Sequence, residues 1–88
     1  MRNVIELGDI VELTRDIKMG YHTFKKGDIV RVINYAAGRG YGYIDKDGNT
    51  VCEAGMDCIL IKKGDKSTFT IKVVNEYWQE LVWNETKN

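Results

Sequence analysis

The chain alternates short runs of β-branched and aromatic residues with clusters of glycine and charged residues, the pattern of strands separated by turns. In Ile10 to Thr14, Val11 and Leu13 share one face and Glu12 takes the other. Ile29 to Tyr35 repeats that alternation with Val30 and Val32 against Arg31, although Ile33 makes the outward face partly apolar. Between these two runs, Arg15 to Lys26 reads as a polar loop that contains Gly20, Tyr21 and Phe24. Ala36 to Gly40 is a small-residue loop and Tyr41 to Asp45 a third extended run. Lys46-Asp47-Gly48-Asn49 predicts a tight hairpin, because Gly48 can adopt the positive φ that a type I turn with a following bulge requires. Thr50 to Glu53 is the returning strand, Ala54 to Asp57 predicts one short helical turn, and Cys58 to Lys62 predicts a further strand built on Ile59, Leu60 and Ile61.

Residues 64–88 form an extension to this unit within a single domain. Thr68 to Val74 alternates as a strand with Phe69, Ile71 and Val73 on one face. Beyond it, Asn75 can cap a helix in which Trp78, Leu81 and Val82 form one stripe at spacings of three and four, and Glu76, Gln79 and Glu80 suit that helix. The competing arrangement is a hairpin that turns at Asn75-Glu76, with Tyr77 to Trp83 as its second strand. The helix is preferred on composition. The tryptophans and Tyr77 require cover, and the outer face of the β unit near Ile33 and Tyr43, or a partner, is expected to supply it.

Composition narrows the classes of function. The chain has 88 residues, 43% of them hydrophobic and 30% charged, which suits one folded domain and lies far from the signature of disorder. Thirteen Lys and Arg balance thirteen Asp and Glu, so no overall field draws the chain to nucleic acid or an anionic membrane. Residues 1–74 carry twelve bases and ten acids, and residues 75–88 one base and three acids, too mild an asymmetry to name a ligand. Two cysteines are few for a secreted domain of this size, and neither a signal segment nor a membrane-length apolar run is evident, so a cytosolic location is expected.

Candidate chemistry is sparse. His22 is the only histidine and Ser67 the only serine, with no context for a nucleophilic triad. Cys52 and Cys58 lack the spacing of a structural metal site and are expected to be buried small hydrophobes. Asp45, Lys46, Asp47 and Asn49 open somewhat like a calcium loop, but the downstream bidentate acid is missing. No enzyme, cofactor or metal is therefore expected. Three Gly-Asp pairs, at Gly8, Gly27 and Gly64, each precede a β-favouring run and read as shared turn chemistry. The residues that suit recognition are Tyr35, Arg39, Tyr41 and Tyr43, beside backbone-exposing glycines, and Tyr77, Trp78 and Trp83 in the extension, since Tyr, Trp and Arg are enriched at interfaces.

The order of elements, strand, long loop, strand, short loop, strand, tight hairpin, strand, helical turn, strand, resembles the SH3-like small β-barrel of small phage and bacterial proteins. Phe24 to Val32, entering the second strand through Lys25-Lys26-Gly27-Asp28, and the Asp47-Gly48 hairpin carry the resemblance. It implies about five short antiparallel strands over residues 1–63, with residues 64–88 packed on the barrel or forming an interface. The function it implies is protein binding: a phage-encoded module that modulates a host protein, or a homodimer. The alternative is nucleic-acid or nucleotide binding, for which Arg15, Lys18, Lys25, Lys26, Arg31 and Arg39 would gather with tyrosines on one side.

Overall fold

Valine, isoleucine and tyrosine runs broken by glycines form strands throughout, in a computed structural model that describes residues 4–20 and 22–84. The strands are β1 Ile10–Leu13, β2 Ile17–Met19, β3 His22–Phe24, β4 Ile29–Ala36, β5 Gly40–Ile44, β6 Thr50–Val51, β7 Cys58–Lys62, β8 Phe69–Asn75 and β9 Trp78–Trp83. Every ladder between them is antiparallel. No helix occurs among the described residues, so none is long and apolar enough to cross a membrane.

The main sheet runs β6-β5-β4-β1-β7, and the hairpin β8-β9 joins it through β4. The expected barrel does not close, since neither sheet pairs back on itself among the described residues. Strand β4 organises the whole. Its first half pairs with β1, at Val11↔Val30 and Glu12↔Ile29, while its second half pairs with β9, at Asn34↔Glu80 and Ala36↔Trp78. On its other side it pairs with β5, with one residue inserted between Val32↔Tyr43 and Asn34↔Gly42. That bulge at Ile33 shifts the alternation by one. Tyr35 thereby joins Val32, Tyr41 and Tyr43 on the inner face, and Asn34 lies across Gly42 on the other, where a Cβ at Gly42 would collide with it.

Val11, Leu13, Phe24, Val32 and Tyr43 form the fully buried centre. Beside it Asp9 is buried as well, although it is a carboxylate. It accepts hydrogen bonds from the Glu6 and Gly64 amides at 2.7 and 2.9 Å, and from the Lys63 ammonium at 2.7 Å. Lys63 also donates to the Val4 carbonyl at 2.9 Å and to Glu6 at 3.0 Å. One carboxylate thus ties the N-terminal segment to the β7–β8 connection.

Four expectations need correction. The stretch Arg15 to Lys26 is a β2-β3 hairpin, because Ile17 and Phe24 pair and are both buried, and Gly20 turns the chain at φ +57°. Tyr21 lies outside the described residues. Ala54 to Asp57 is not helical: Glu53 and Gly55 take φ of +55° and +78°, left-handed values that a right-handed helix excludes. Its amides and carbonyls bond instead to Tyr41 of β5 and to Arg39 just before that strand. The return strand stops at Val51, two residues early.

The helix over residues 75–84 is absent, and the hairpin stands in its place. The Asn75 side chain does accept from the amide two residues on, that of Tyr77 at 2.8 Å, the contact that a cap makes, but here it closes a turn. The stripe divides between two faces, with Trp78 opposite Ala36 and Leu81 opposite Ile71. The segment extends the sheet edgewise from β4.

Burial raises the Asp9 carboxyl, but Lys63 and the two amides outweigh it and hold the group below its ordinary 3.8. Glu6 is likewise held low, chiefly by its hydrogen bond from Lys63. Folded values below unfolded ones give stability that is complete above about pH 4 and is lost as pH falls further. Asp9→Asn should therefore lower stability at neutral pH by about 2–4 kcal/mol and flatten the loss on acidification, as read by urea unfolding across that range.

Candidate functional site

Strands β1 and β9 pair with opposite halves of one edge of β4, and the sheet divides between them. Gly8, at φ +93°, turns the N-terminal segment inward, and the Phe69 ring lies against Gly8 so closely that any Cβ there would collide with it. The space left between this segment and the hairpin is a cleft of about 460 Å³. Tyr35 and Tyr41 form its floor, with ring centroids 5.6 Å apart. Ile5 and Leu7 line one side, Phe69, Ile71 and Gln79 the hairpin side, and Met56 the end. Glu6 and Lys66 provide the charges at its rim. Its volume and largely apolar lining suit the enclosure of an apolar group.

Tyr41 donates to the Ile5 carbonyl at 3.1 Å, which fixes the N-terminal segment over the floor. Burial raises the Tyr41 hydroxyl above its ordinary range, so it stays a neutral donor. Its neighbour Tyr43 is raised further by burial and by its hydrogen bond to Cys58 Sγ, 3.5 Å away. Burial also pushes the Cys58 thiol up, which leaves it a poor nucleophile.

The seven residues singled out for recognition do not form one surface. Tyr43 is 0% exposed and belongs to the core, and Tyr41 is buried as cleft floor. Arg39, Tyr77 and Trp78 converge on a second groove, with Ala36, Ala37, Glu53 and Asn75. There Arg39 pairs with Glu53 at 3.2 Å, so that groove offers an already neutralised cation. Trp83 stands apart, 51% exposed, edge-on to Phe69 at 6.1 Å and 5.1 Å from the Arg31 guanidinium. The sequence reading missed Ile5, Leu7, Met56, Phe69, Ile71, Lys66 and Gln79 as cleft residues. They come together over long sequence separations, the N-terminal ones beside the Asp9 clamp and the hairpin ones through the β4–β9 and β8–β9 ladders, and no local motif announces them.

Other candidates resolve plainly. His22 is not an isolated loop residue: it packs edge-on against Phe24 and faces Asp45 at 3.4 Å. Asp45 accepts from the Asp47 and Asn49 amides and the Asn49 side chain, which completes the β5–β6 hairpin. Gly48 takes φ +87° there, as the sequence predicts. Cys52, expected to be buried, is exposed just beyond the short strand β6, whereas Cys58 is half-buried.

Partial exposure of Trp83 limits what it contributes. Trp83→Ala should cost about 1–2 kcal/mol, from one aromatic edge contact and one cation–π contact. Phe69→Ala, at a 6% exposed position, should cost about 3–5 kcal/mol; chemical denaturation of both variants checks the contrast. No known family model matches the chain, and no curated protein or solved structure is significantly similar to it.

Proposed function

We propose that this chain is a non-catalytic protein-interaction domain that engages a partner protein through the cleft floored by Tyr35 and Tyr41. The observation that carries the reading is an apolar opening of about 460 Å³ whose mouth stays lined by exposed side chains, Met56 at 56% and Ile71 at 37%. A folded domain of this size gains by burying such groups, and a partner's apolar side chain supplies that burial. The strand order β6-β5-β4-β1-β7, with the tight Asp45 to Asn49 turn between β5 and β6, supports an SH3-like arrangement of residues 8–62 as the platform.

Nucleic-acid binding is the weaker reading. Two of the bases that it would need, Arg15 and Arg39, are paired with Asp57 and Glu53, and Arg31 is spent on the Gly8 carbonyl and the Trp83 ring. Paired cations release few counterions on meeting a phosphate backbone.

A photoreactive residue placed at Met56 or Ile71 should capture a discrete partner protein in cells that express the chain. The same residue at Lys46, in the β5–β6 turn, should not. Equal labelling from all three positions, or no adduct from any, overturns the proposal. A gel shift at low salt should show no complex with DNA or RNA at micromolar protein.

A further inference from the structure

The cleft does not end at its own walls. It is bordered by β8, whose only ladder partner among the described residues is β9. Of the strands that pair on one side alone, β8 is the longest at seven residues, against five in β7, three in each of β2 and β3 and two in β6. Its backbone amides and carbonyls on the open side form no other backbone hydrogen bonds among the described residues, and Ile71, Val73 and Val74 beside them are exposed. Phe69 and Ile71 belong both to this edge and to the cleft. A strand laid against β8 would therefore run its inward-facing side chains along the cleft mouth.

The charges along this edge select the occupant. Of the acids around it, Glu6 is held by Lys63 at 3.0 Å and Asp65 by the Ser67 hydroxyl and amide at 2.7 and 3.0 Å, while Glu80 lies one strand inward on β9, on the far side of β8 from the open edge. The bases are held more loosely. Lys66 is 70% exposed and reaches only a Glu6 oxygen, at 3.6 Å, that Lys63 already holds. Lys72 lies in register with Glu80 but makes no ion pair with it. Two lysines thus flank an apolar edge and invite carboxylates.

A second copy of the same edge does not meet that requirement, because Phe69 to Asn75 contains no acid. Twofold pairing centred on Lys72 would also set two ammonium groups face to face, which is destabilising.

We infer that β8 is the docking edge for an extended segment of a partner protein in which apolar residues alternate with Asp or Glu. The segment adds as a strand and places one apolar side chain in the cleft, its carboxylates meeting Lys66 and Lys72. The mode is strand addition, in which backbone hydrogen bonds bind and alternate side chains discriminate. It rests on the cleft reading above and extends it to a partner class.

The test selects a display library of short random peptides on the full chain, then follows backbone amide exchange with the enriched peptide bound. The expected consensus alternates apolar and acidic positions, and saturating peptide slows exchange across Thr70 to Val74. Lys66→Gln with Lys72→Gln, both at exposed positions, removes the two charges without setting like charges face to face and should weaken binding roughly three- to tenfold with little change in the melting temperature. A basic consensus or no enrichment overturns the inference. A peptide that binds without slowing β8 exchange overturns strand addition yet leaves the cleft reading standing. Slow β8 exchange in the free protein, together with a dimeric mass, assigns the edge to a second copy and also overturns it.

Discussion

The arrangement depends on a buried carboxylate. Asp9 is nearly inaccessible, yet it receives two backbone amides and the Lys63 ammonium, so its charge is compensated where it lies. Those partners come from the N-terminal segment and from the far end of β7. Removing the carboxylate would free the N-terminal wall of the cleft from the connection that leads into β8. Gly8 next to it provides the second half of the constraint, since only a residue without a side chain lets Phe69 close over the backbone at that point. This contact anchors the start of β8, whose ladder to β9 and thence to β4 sets the rest of its position.

Strand β4 then converts a local irregularity into architecture. Its bulge at Ile33 places Tyr35 on the same face as Tyr41 and Tyr43, and it falls where β1 gives way to β9 as the neighbouring strand. The aromatic floor of the cleft and the attachment of the C-terminal hairpin are thus consequences of one inserted residue. Asn34, turned to the opposite face, keeps its Oδ1 buried without a hydrogen-bond partner among the described residues. That cost is tolerated where the sheet must change partners.

Much of the fold was legible. The runs that became β1, β4, β5 and β7 carry clear alternation or β-branched composition, and the Asp47-Gly48 turn has the chemistry its geometry demands. Period alone misled at residues 75–84. Trp78, Leu81 and Val82 satisfy a helical spacing, yet the available edge of β4 offers this segment a ladder that an isolated helix lacks. Tertiary pairing outweighed propensity, as it did for the short hairpin formed by Ile17 and Phe24. The recognition residues were legible as types rather than as places: tyrosine, tryptophan and arginine suit interfaces, but Tyr43 fills the core and Arg39 faces Glu53.

By itself, then, the sequence determined a mostly β domain of short strands and tight glycine turns, because hydrophobic periodicity and turn chemistry act over a few residues and need no distant partner. Only the tertiary structure decided which residues face the cleft, that Asp9 ties its N-terminal wall to the connection leading into β8, and that β8 ends the sheet with its edge open. Each of those depends on contacts between residues tens of positions apart, such as Asp9 with Gly64 and Gly8 with Phe69, and no local pattern records them.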